Sequence, residues 1–271
     1  MNLNAYLERI QYSGRCRVDY ETLASVHHQH LLHIPYENID VQLGYPLDFD
    51  LDRIFNKLVT ARRGGWCYEM NGLLGWALEA LGFNVTRMCA GVGREKDGNE
   101  EIGNHLILGI DLAGKKYLAD VGLGDGARHP IPISQGVYEQ GGLTYGLKQM
   151  TDGYWRFRNH HLSNTQSFDF EHLPADETVL TNKCHWLQVS PESPFTKVMI
   201  VQRFTPATIE IQLGKIHTTI TPDGKASREL SSIDELNANL ADVFGLDIDI
   251  SPAWERIIAG HERLLGINKP S

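Results

Sequence analysis

Three residue types in this sequence are suited to covalent chemistry when brought together: a cysteine, a histidine and a carboxylate. The cysteine is Cys67, set in RRGGWCYEMNG, residues 62–72. Gly64 and Gly65 are expected to supply backbone dihedrals that other residues avoid. The run that follows, CYEMNGLLGWALEALG, carries Met70, Leu73, Leu74, Ala77, Leu78 and Leu81 at helical offsets and stops at Gly82. Cys67 is therefore expected on the first turn of a helix. Free backbone N–H groups and the positive end of the dipole favour a thiolate there, and one or two of those groups can hold an oxyanion. An inert buried cysteine beside a turn explains the glycines but not the placement of a thiol at that point.

A catalytic thiol needs a base and the base needs an orienting group. NHLILGIDLAGKKYLADVG, residues 104–122, reads as a β-hairpin. If Asp111 pairs with Lys116 across the turn, Asp120 falls opposite Ile107, on the face that carries His105 and diagonal to it. Diagonal neighbours lie about 7–8 Å apart at the backbone, close enough for carboxylate and imidazole to meet. A slip of one residue sends the two side chains to opposite faces.

The elements that must hold these residues follow from the apolar pattern. The first third is helical: LNAYLERI, then YETLASVHHQHLLHI with Asp19 as N-cap, then LDRIFNKLVTA with Asp50 as N-cap. From Phe83 the period changes to short aromatic and β-branched stretches (FNVTRMCAGV, HLILGID, KYLADV, GLTYGLKQM, YWRFRNHH, QSFDFEH), which predict an antiparallel sheet or small barrel. After PESPF come the strands KVMIVQRF, TIEIQL and IHTTI, then helices in SIDELNANLADVFG and SPAWERIIAGHERLLG. The fold class expected is α+β, with helices over 1–82, an antiparallel sheet or small barrel over 83–190 and a mixed α/β segment over 191–271.

Composition excludes several functions. The chain has 271 residues, 42% hydrophobic and 22% charged, with a formal net charge of -9. That balance gives no electrostatic footprint for nucleic acid or an anionic membrane. No apolar run approaches the roughly 18 residues of a membrane span, and the N-terminus lacks a signal-peptide layout, so a cytoplasmic location is expected. The four cysteines form no C-x-x-C pair, and Cys16, Cys89 and Cys184 are read as small buried hydrophobes. His27, His30 and His33 repeat at three-residue steps without a carboxylate or cysteine to complete a ligand set, so they read as a solvated helix face and no metal is expected. The glycine-rich AGVG and GLGDG do not open helices after strands, which excludes a dinucleotide fingerprint.

R-G-G-W-C-Y-E-M-N (Arg63 to Asn71), IPYENID (Ile34 to Asp40), HLILGI and YLADVGLGD, in this order, resemble the signature segments of the arylamine N-acetyltransferases. The resemblance implies Cys67 as nucleophile, His105 as base and Asp120 as the residue that orients it, in a three-part fold of N-terminal helical bundle, central antiparallel β-barrel and C-terminal α/β lid whose catalytic core is similar to that of papain-like thiol proteases. It implies acetyl-CoA as cosubstrate, no tightly bound cofactor, an arylamine or hydrazine as acceptor, a role in xenobiotic metabolism, and a monomer or homodimer. Tyr36 and Val92 match positions lining the acceptor pocket. Gly122 and Gly124, in the GLGDG turn, are expected to let coenzyme A approach the backbone near Asp120.

Two departures stand out: Asn104 where relatives carry Thr or Ser before the histidine, and Leu123 where they often carry Phe, which removes an aromatic from the acceptor side. The acidic loop GREKDGNEEIGN before His105 is short and is expected to alter access to the pocket. Arg63 is expected to anchor its loop to Glu37 or Asp40, and Glu69 and Asn71 to satisfy backbone groups near the turn. Other uses of the same triad are an amide synthase of natural-product assembly or a thiol hydrolase. A scaffold that only binds a small aromatic ligand or partner is a different class.

Overall fold

The computed structural model describes residues 1–266; positions 267–271, the end of the expected α/β segment, lie outside the described residues. Helices α1 (Leu3–Arg9), α2 (Tyr20–His33), α3 (Ile39–Leu43) and α4 (Leu51–Phe55) precede α5 (Cys67–Ala80). The caps are those read from the sequence: Asp19 accepts from the Thr22 N–H and Asp50 from the Arg53 N–H, both at 2.9 Å. After α4 the chain continues as a π-helical turn over 56–60. The core of this part gathers Tyr6, Leu23, Leu58, Leu73 and Leu74, all without solvent exposure, and α5 packs on the barrel face that carries Val85 and Leu108.

An eight-stranded, nearly closed antiparallel barrel follows. Its strands are β2 (Asn84–Val92), β3 (His105–Leu112), β4 (Lys115–Ala119), β5 (Ile131–Pro132), β6 (Gly136–Gln140), β7 (Leu143–Gln149), β8 (Trp155–Arg158) and β9 (Ser167–Phe170), in the order β5-β4-β3-β2-β9-β8-β7-β6. Between β2 and β3 the acidic loop folds as the short helix α6 (Arg94–Asp97) and a 3₁₀ turn at 99–101. The β3–β4 hairpin has the expected register, Asp111 opposite Lys116 and Leu108 opposite Ala119. Asp120 therefore leaves the ladder one residue past the end of β4, on the His105 face.

Helix α7 (Glu177–Val189) and the short α8 (Pro194–Lys197) then cross to a second sheet of β10 (Ile200–Phe204), β11 (Ile209–Leu213), β12 (Ile216–Thr221) and β13 (Gly224–Glu229), covered by α9 (Ile233–Asp242) and α10 (Trp254–Leu264). The sheet does not belong to the C-terminal part alone: β1 (Tyr36–Glu37) completes it by pairing with β10. Neither β1 nor α7 is among the elements expected from the sequence, and β6 and β13 add to the strands read there. Among the described residues no helix is long and apolar enough to cross a membrane.

Two sequence expectations fail for physical reasons. His27 and His30 are buried, not solvated, because α2 packs that face on the barrel and on α1. Cys16 is exposed and Cys89 half-buried, whereas Cys184 is buried as expected.

Candidate active site

The loop before Cys67 is fixed by close backbone approach, which corrects the expected use of its glycines. Neither Gly64 nor Gly65 has a positive φ; in this loop Arg62 does, at 54°. A Cβ on Gly64 would lie 2.2 Å from the Pro35 carbonyl oxygen, and one on Gly65 2.8 Å from a Glu69 carboxylate oxygen. Room, not dihedral freedom, demands glycine here. The Gly65 N–H donates to Pro35 O at 3.2 Å and the Glu37 N–H to Gly65 O at 2.9 Å, so the loop is stitched to β1 and, through it, to the second sheet.

Charge completes the anchor. Arg63 Nη2 lies 2.7 Å from both Glu37 Oε1 and Asp40 Oδ1, and Lys57 Nζ bridges Asp40 at 2.7 Å and Glu69 at 2.9 Å. Three carboxylates thus face two cations in a site largely closed to water. Burial, only partly offset by Lys57, pushes the Glu69 carboxyl up. Glu69 Oε2 also accepts from the Trp66 N–H at 3.2 Å, satisfying the donor just ahead of the helix. The N–H groups of Cys67 and Tyr68 take no acceptor among the described residues.

Cys67, 2% exposed, adjoins His105, and its Sγ lies 4.0 Å from the Asn104 carbonyl oxygen. His105 Nε2 lies 2.8 Å from Asp120 Oδ2, so Nε2 holds a proton toward the carboxylate and Nδ1 serves the sulfur. Burial alone would lower the His105 pKa, but the Asp120 charge and hydrogen bond, together with Cys67, raise it to about 10. Burial raises Asp120 in turn, yet the His105 ring, Asn71 and the Gly122 N–H hold its carboxyl below the ordinary value. Phe168 packs edge-on against the His105 ring at 5.3 Å between centroids.

Two positioning residues escaped the sequence reading in this role. Asn71 Nδ2 donates to Asp120 Oδ1 at 2.8 Å and to Leu106 O at 2.7 Å, while its oxygen accepts from the Val121 N–H at 3.0 Å. Its place one turn after Cys67, on the same helix face, was the available signal. His27 is the second. Its Nδ1–H donates to Arg128 O at 3.1 Å and its Nε2 accepts from the Asp120 N–H at 3.2 Å. Burial lowers this ring to about 4, so it is neutral and keeps the acceptor that Asp120 requires.

Cys67 and His105, with Asp120 behind the His105 ring, open on a cavity of about 510 Å³. Tyr36, Val92, Asn104, Gly122 and Leu123, singled out from the sequence, line it, and so do Trp186, Phe195, Ile200 and Gln202, which were not. Asn104 is itself tied down: its Oδ1 accepts from the Val92 N–H and its Nδ2 donates to Val92 O and Glu101 Oε2. Gly122 sits so close to Cys67 that a Cβ would meet the cysteine Cα at 2.6 Å. Gly124 differs. A Cβ on Gly124 would lie 1.9 Å from Gln202 Oε1, and Gln202, not Gly124, is at the cavity wall. The acidic loop contributes Asp97 and Glu101 to the wall. Among the described residues no group of three His, Cys, Asp or Glu side chains is placed to hold a metal.

The arrangement equips one thiol to attack a carbonyl carbon, two helix N–H groups to receive the oxygen, and one imidazole to move the proton. A family model described as N-acetyltransferase matches residues 19–253. Arylamine N-acetyltransferase of Escherichia coli (strain K12) is 33% identical over 256 residues, covering 91% of this chain and 89% of its own. That of Mycolicibacterium smegmatis is 42% identical over 146 residues, 52% of this chain and 53% of its own. The solved structure of Mycobacterium marinum arylamine N-acetyltransferase in complex with CoA superposes with a TM-score of 0.87 at 25% identity, covering 94% of this chain and 98% of that one.

Proposed function

Because the chain belongs to the arylamine N-acetyltransferase family, we propose that it carries an acetyl group from acetyl-CoA to an aromatic amine or arylhydrazine in two half-reactions, through an acetyl group held on Cys67. The observation that carries this reading is the His105–Asp120 pair, bonded at 2.8 Å, with Cys67 and His105 together at the wall of a 510 Å³ cavity. With Asp120 and Cys67 raising His105 to about 10 against the lowering effect of burial, the ring is cationic at neutral pH. The sulfur attacks the thioester carbonyl, the N–H groups of Cys67 and Tyr68 receive the developing oxyanion, and the departing coenzyme A sulfur takes the proton from His105. The amine then attacks the acetyl carbon, His105 accepts its proton, and the Cys67 sulfur is expelled with the electron pair of the C–S bond.

Tyr36, Val92, Leu123 and Phe195 provide the apolar wall against which an aryl group packs. The presence of Cys67, His105 and Asp120 together, with His105 bonded to Asp120, favours catalysis over a scaffold that only binds small ligands, and the exposed free thiol of Cys16 suits a reducing, cytoplasmic compartment.

The test is a single-turnover experiment with acetyl-CoA and no amine. One acetyl group is expected on the protein by intact mass, mapped to the Cys67 peptide, and released by a subsequent arylamine. Cys67→Ser should lose nearly all transfer. Labelling of Cys16, Cys89 or Cys184 instead, or coenzyme A release that no amine accelerates, would overturn the proposal.

A further inference from the structure

A second and larger cavity, of about 700 Å³, lies on the other side of the α7–α8 hairpin and shares no lining residue with the catalytic one. Its charged lining consists of Lys197, Arg256 and Arg263, with His185 beside them, and no carboxylate is among the lining residues. In a chain of net charge -9 this is a local reversal of sign.

Both arginines are held in place and incompletely used. Arg256 Nη1 donates to Val41 O at 3.1 Å and Gln42 O at 2.8 Å, and Arg263 Nη2 donates to Lys197 O at 2.8 Å. Backbone carbonyls thus fix one nitrogen of each fork, and neither guanidinium has a carboxylate partner at ion-pair distance among the described residues. Lys197 pairs with Glu192 at 2.8 Å, but that carboxylate side chain is 77% exposed, and an exposed pair is readily exchanged for another anion.

The rest of the lining is apolar. Tyr45 is 59% exposed and Val189 61%, with Pro46, Leu47 and Pro191 alongside. Large apolar side chains left open beside guanidiniums that have no carboxylate partner among the described residues make a surface for a ligand with a flat ring at one end and negative charge at the other. Three cations exceed what one carboxylate requires and match the multiple charge of a phosphate chain. The volume falls within the range of about 300–1,000 Å³ usual for small-molecule sites.

We propose that this groove is a second binding site, for a nucleoside polyphosphate or a phosphorylated aromatic of similar size, with Arg256, Arg263 and Lys197 on the phosphates and Tyr45 against the ring. The site is separate from the acetyl-transfer centre and does not depend on that reading.

The experiment is calorimetric titration of the whole protein with ADP and, separately, with inorganic phosphate, at two salt concentrations, together with acetyl-transfer rates. ADP is expected to bind more weakly at high salt, and phosphate alone at least ten-fold more weakly than ADP. Arg256→Gln combined with Arg263→Gln should weaken ADP ten-fold or more while leaving the acetylation rate of Cys67 unchanged. Tyr45→Ala, on an exposed side chain, should reduce the preference for ADP over phosphate and guards against misfolding of the arginine variant. No ADP binding, or ADP binding that survives all these substitutions and is abolished by coenzyme A, overturns the proposal, since the nucleotide would then occupy the catalytic cleft. Phosphate binding as tightly as ADP overturns the role of Tyr45 and the nucleoside.

Discussion

Replacing Asp120 by Asn tests the catalytic chain at the point where the structure dictates the outcome. Asp120 Oδ1 accepts from Asn71 Nδ2 and from the Gly122 N–H, both at 2.8 Å. An Asn side chain must keep its single oxygen toward those two donors, which turns its NH₂ toward His105 Nε2. The imidazole is then forced to accept at Nε2 and to hold its proton on Nδ1, the nitrogen that serves Cys67. Two losses combine. The ring can no longer take a proton from the sulfur side, and it loses the charge that raises it from 6.5 to about 10. That elevation is what remains after burial has pulled the ring the other way, so without the Asp120 charge burial leaves the imidazolium disfavoured at neutral pH. Removing the acid of a Ser-His-Asp triad, where the wrong tautomer also results, costs about 10⁴ in rate. Acetylation of Cys67 by acetyl-CoA should therefore fall by about 10³–10⁴ at pH 7 in stopped-flow or quenched-flow assays. Alkylation of Cys67 by iodoacetamide should stay fast down to mildly acidic pH in the wild type and slow steeply there in Asp120→Asn. Superimposable alkylation profiles for the two proteins would refute the reasoning, because Asp120 would then belong to the fold alone.

Three further outcomes follow from single residues. Leu123→Phe restores an aromatic at the cavity wall and should change selectivity among arylamines by about five-fold or more while leaving Cys67 acetylation within about two-fold; equal effects on both half-reactions would remove Leu123 from the acceptor side. Asp125 is buried, bonded to Asn159 Nδ2 at 3.1 Å, and its carboxyl is raised by burial from 3.8 to about 6. A raised folded-state pKa contributes stability that is fully present below the unfolded value and is lost as pH rises through about 6, so Asp125→Asn should stabilise the protein above pH 6 by up to about 3 kcal/mol and not below pH 4. Urea midpoints across pH 4–8 read this, and a variant equally destabilised throughout would show the carboxylate to be held ionised. Gly64→Ala drives a Cβ to 2.2 Å from Pro35 O and should cost at least about 1–3 kcal/mol with a matching loss of Cys67 acetylation; wild-type stability would show that the loop moves freely.

The parts of the site legible in the sequence are those fixed by local geometry. The turn between Asp111 and Lys116 sets the hairpin register, so the pairing of His105 with Asp120 could be read from spacing. Cys67 opens α5 as its apolar period implied, and Arg63 meets both carboxylates offered as partners. What stayed hidden depends on long-range contact. The strand β1 is two residues long and finds its partner β10 more than 160 positions away, so no local pattern announces it. Helix α7 is buried only along Leu180, Cys184 and Leu187, and its Thr, Val, Asn and Cys residues are weak helix formers. The α2 histidines looked solvated because a polar stripe ordinarily faces water; here the barrel and α1 supply acceptors and donors that make their burial tolerable.

The burial of that many charges beside the nucleophile has a reason in the oxyanion geometry. A helix start leaves several N–H groups without partners, and the usual remedy is a side-chain cap one or two residues before the first turn. Trp66 occupies the cap position of α5 and its side chain makes no such bond. Glu69 instead reaches back to the Trp66 N–H, held there by Lys57, which is held in turn by Asp40 and through it by Arg63. Stabilisation is thereby applied one residue upstream, and the Cys67 and Tyr68 N–H groups are left without an acceptor among the described residues. A serine or aspartate cap at position 66 would firm the helix start by about 1 kcal/mol and satisfy an N–H farther along the first turn. It would also place an oxygen, charged in the case of aspartate, beside the point where the carbonyl oxygen must gather negative charge. An ion network that counts three carboxylates against two cations is a costly way to hold a loop, and it is compatible with a vacant oxyanion position where a cap is not.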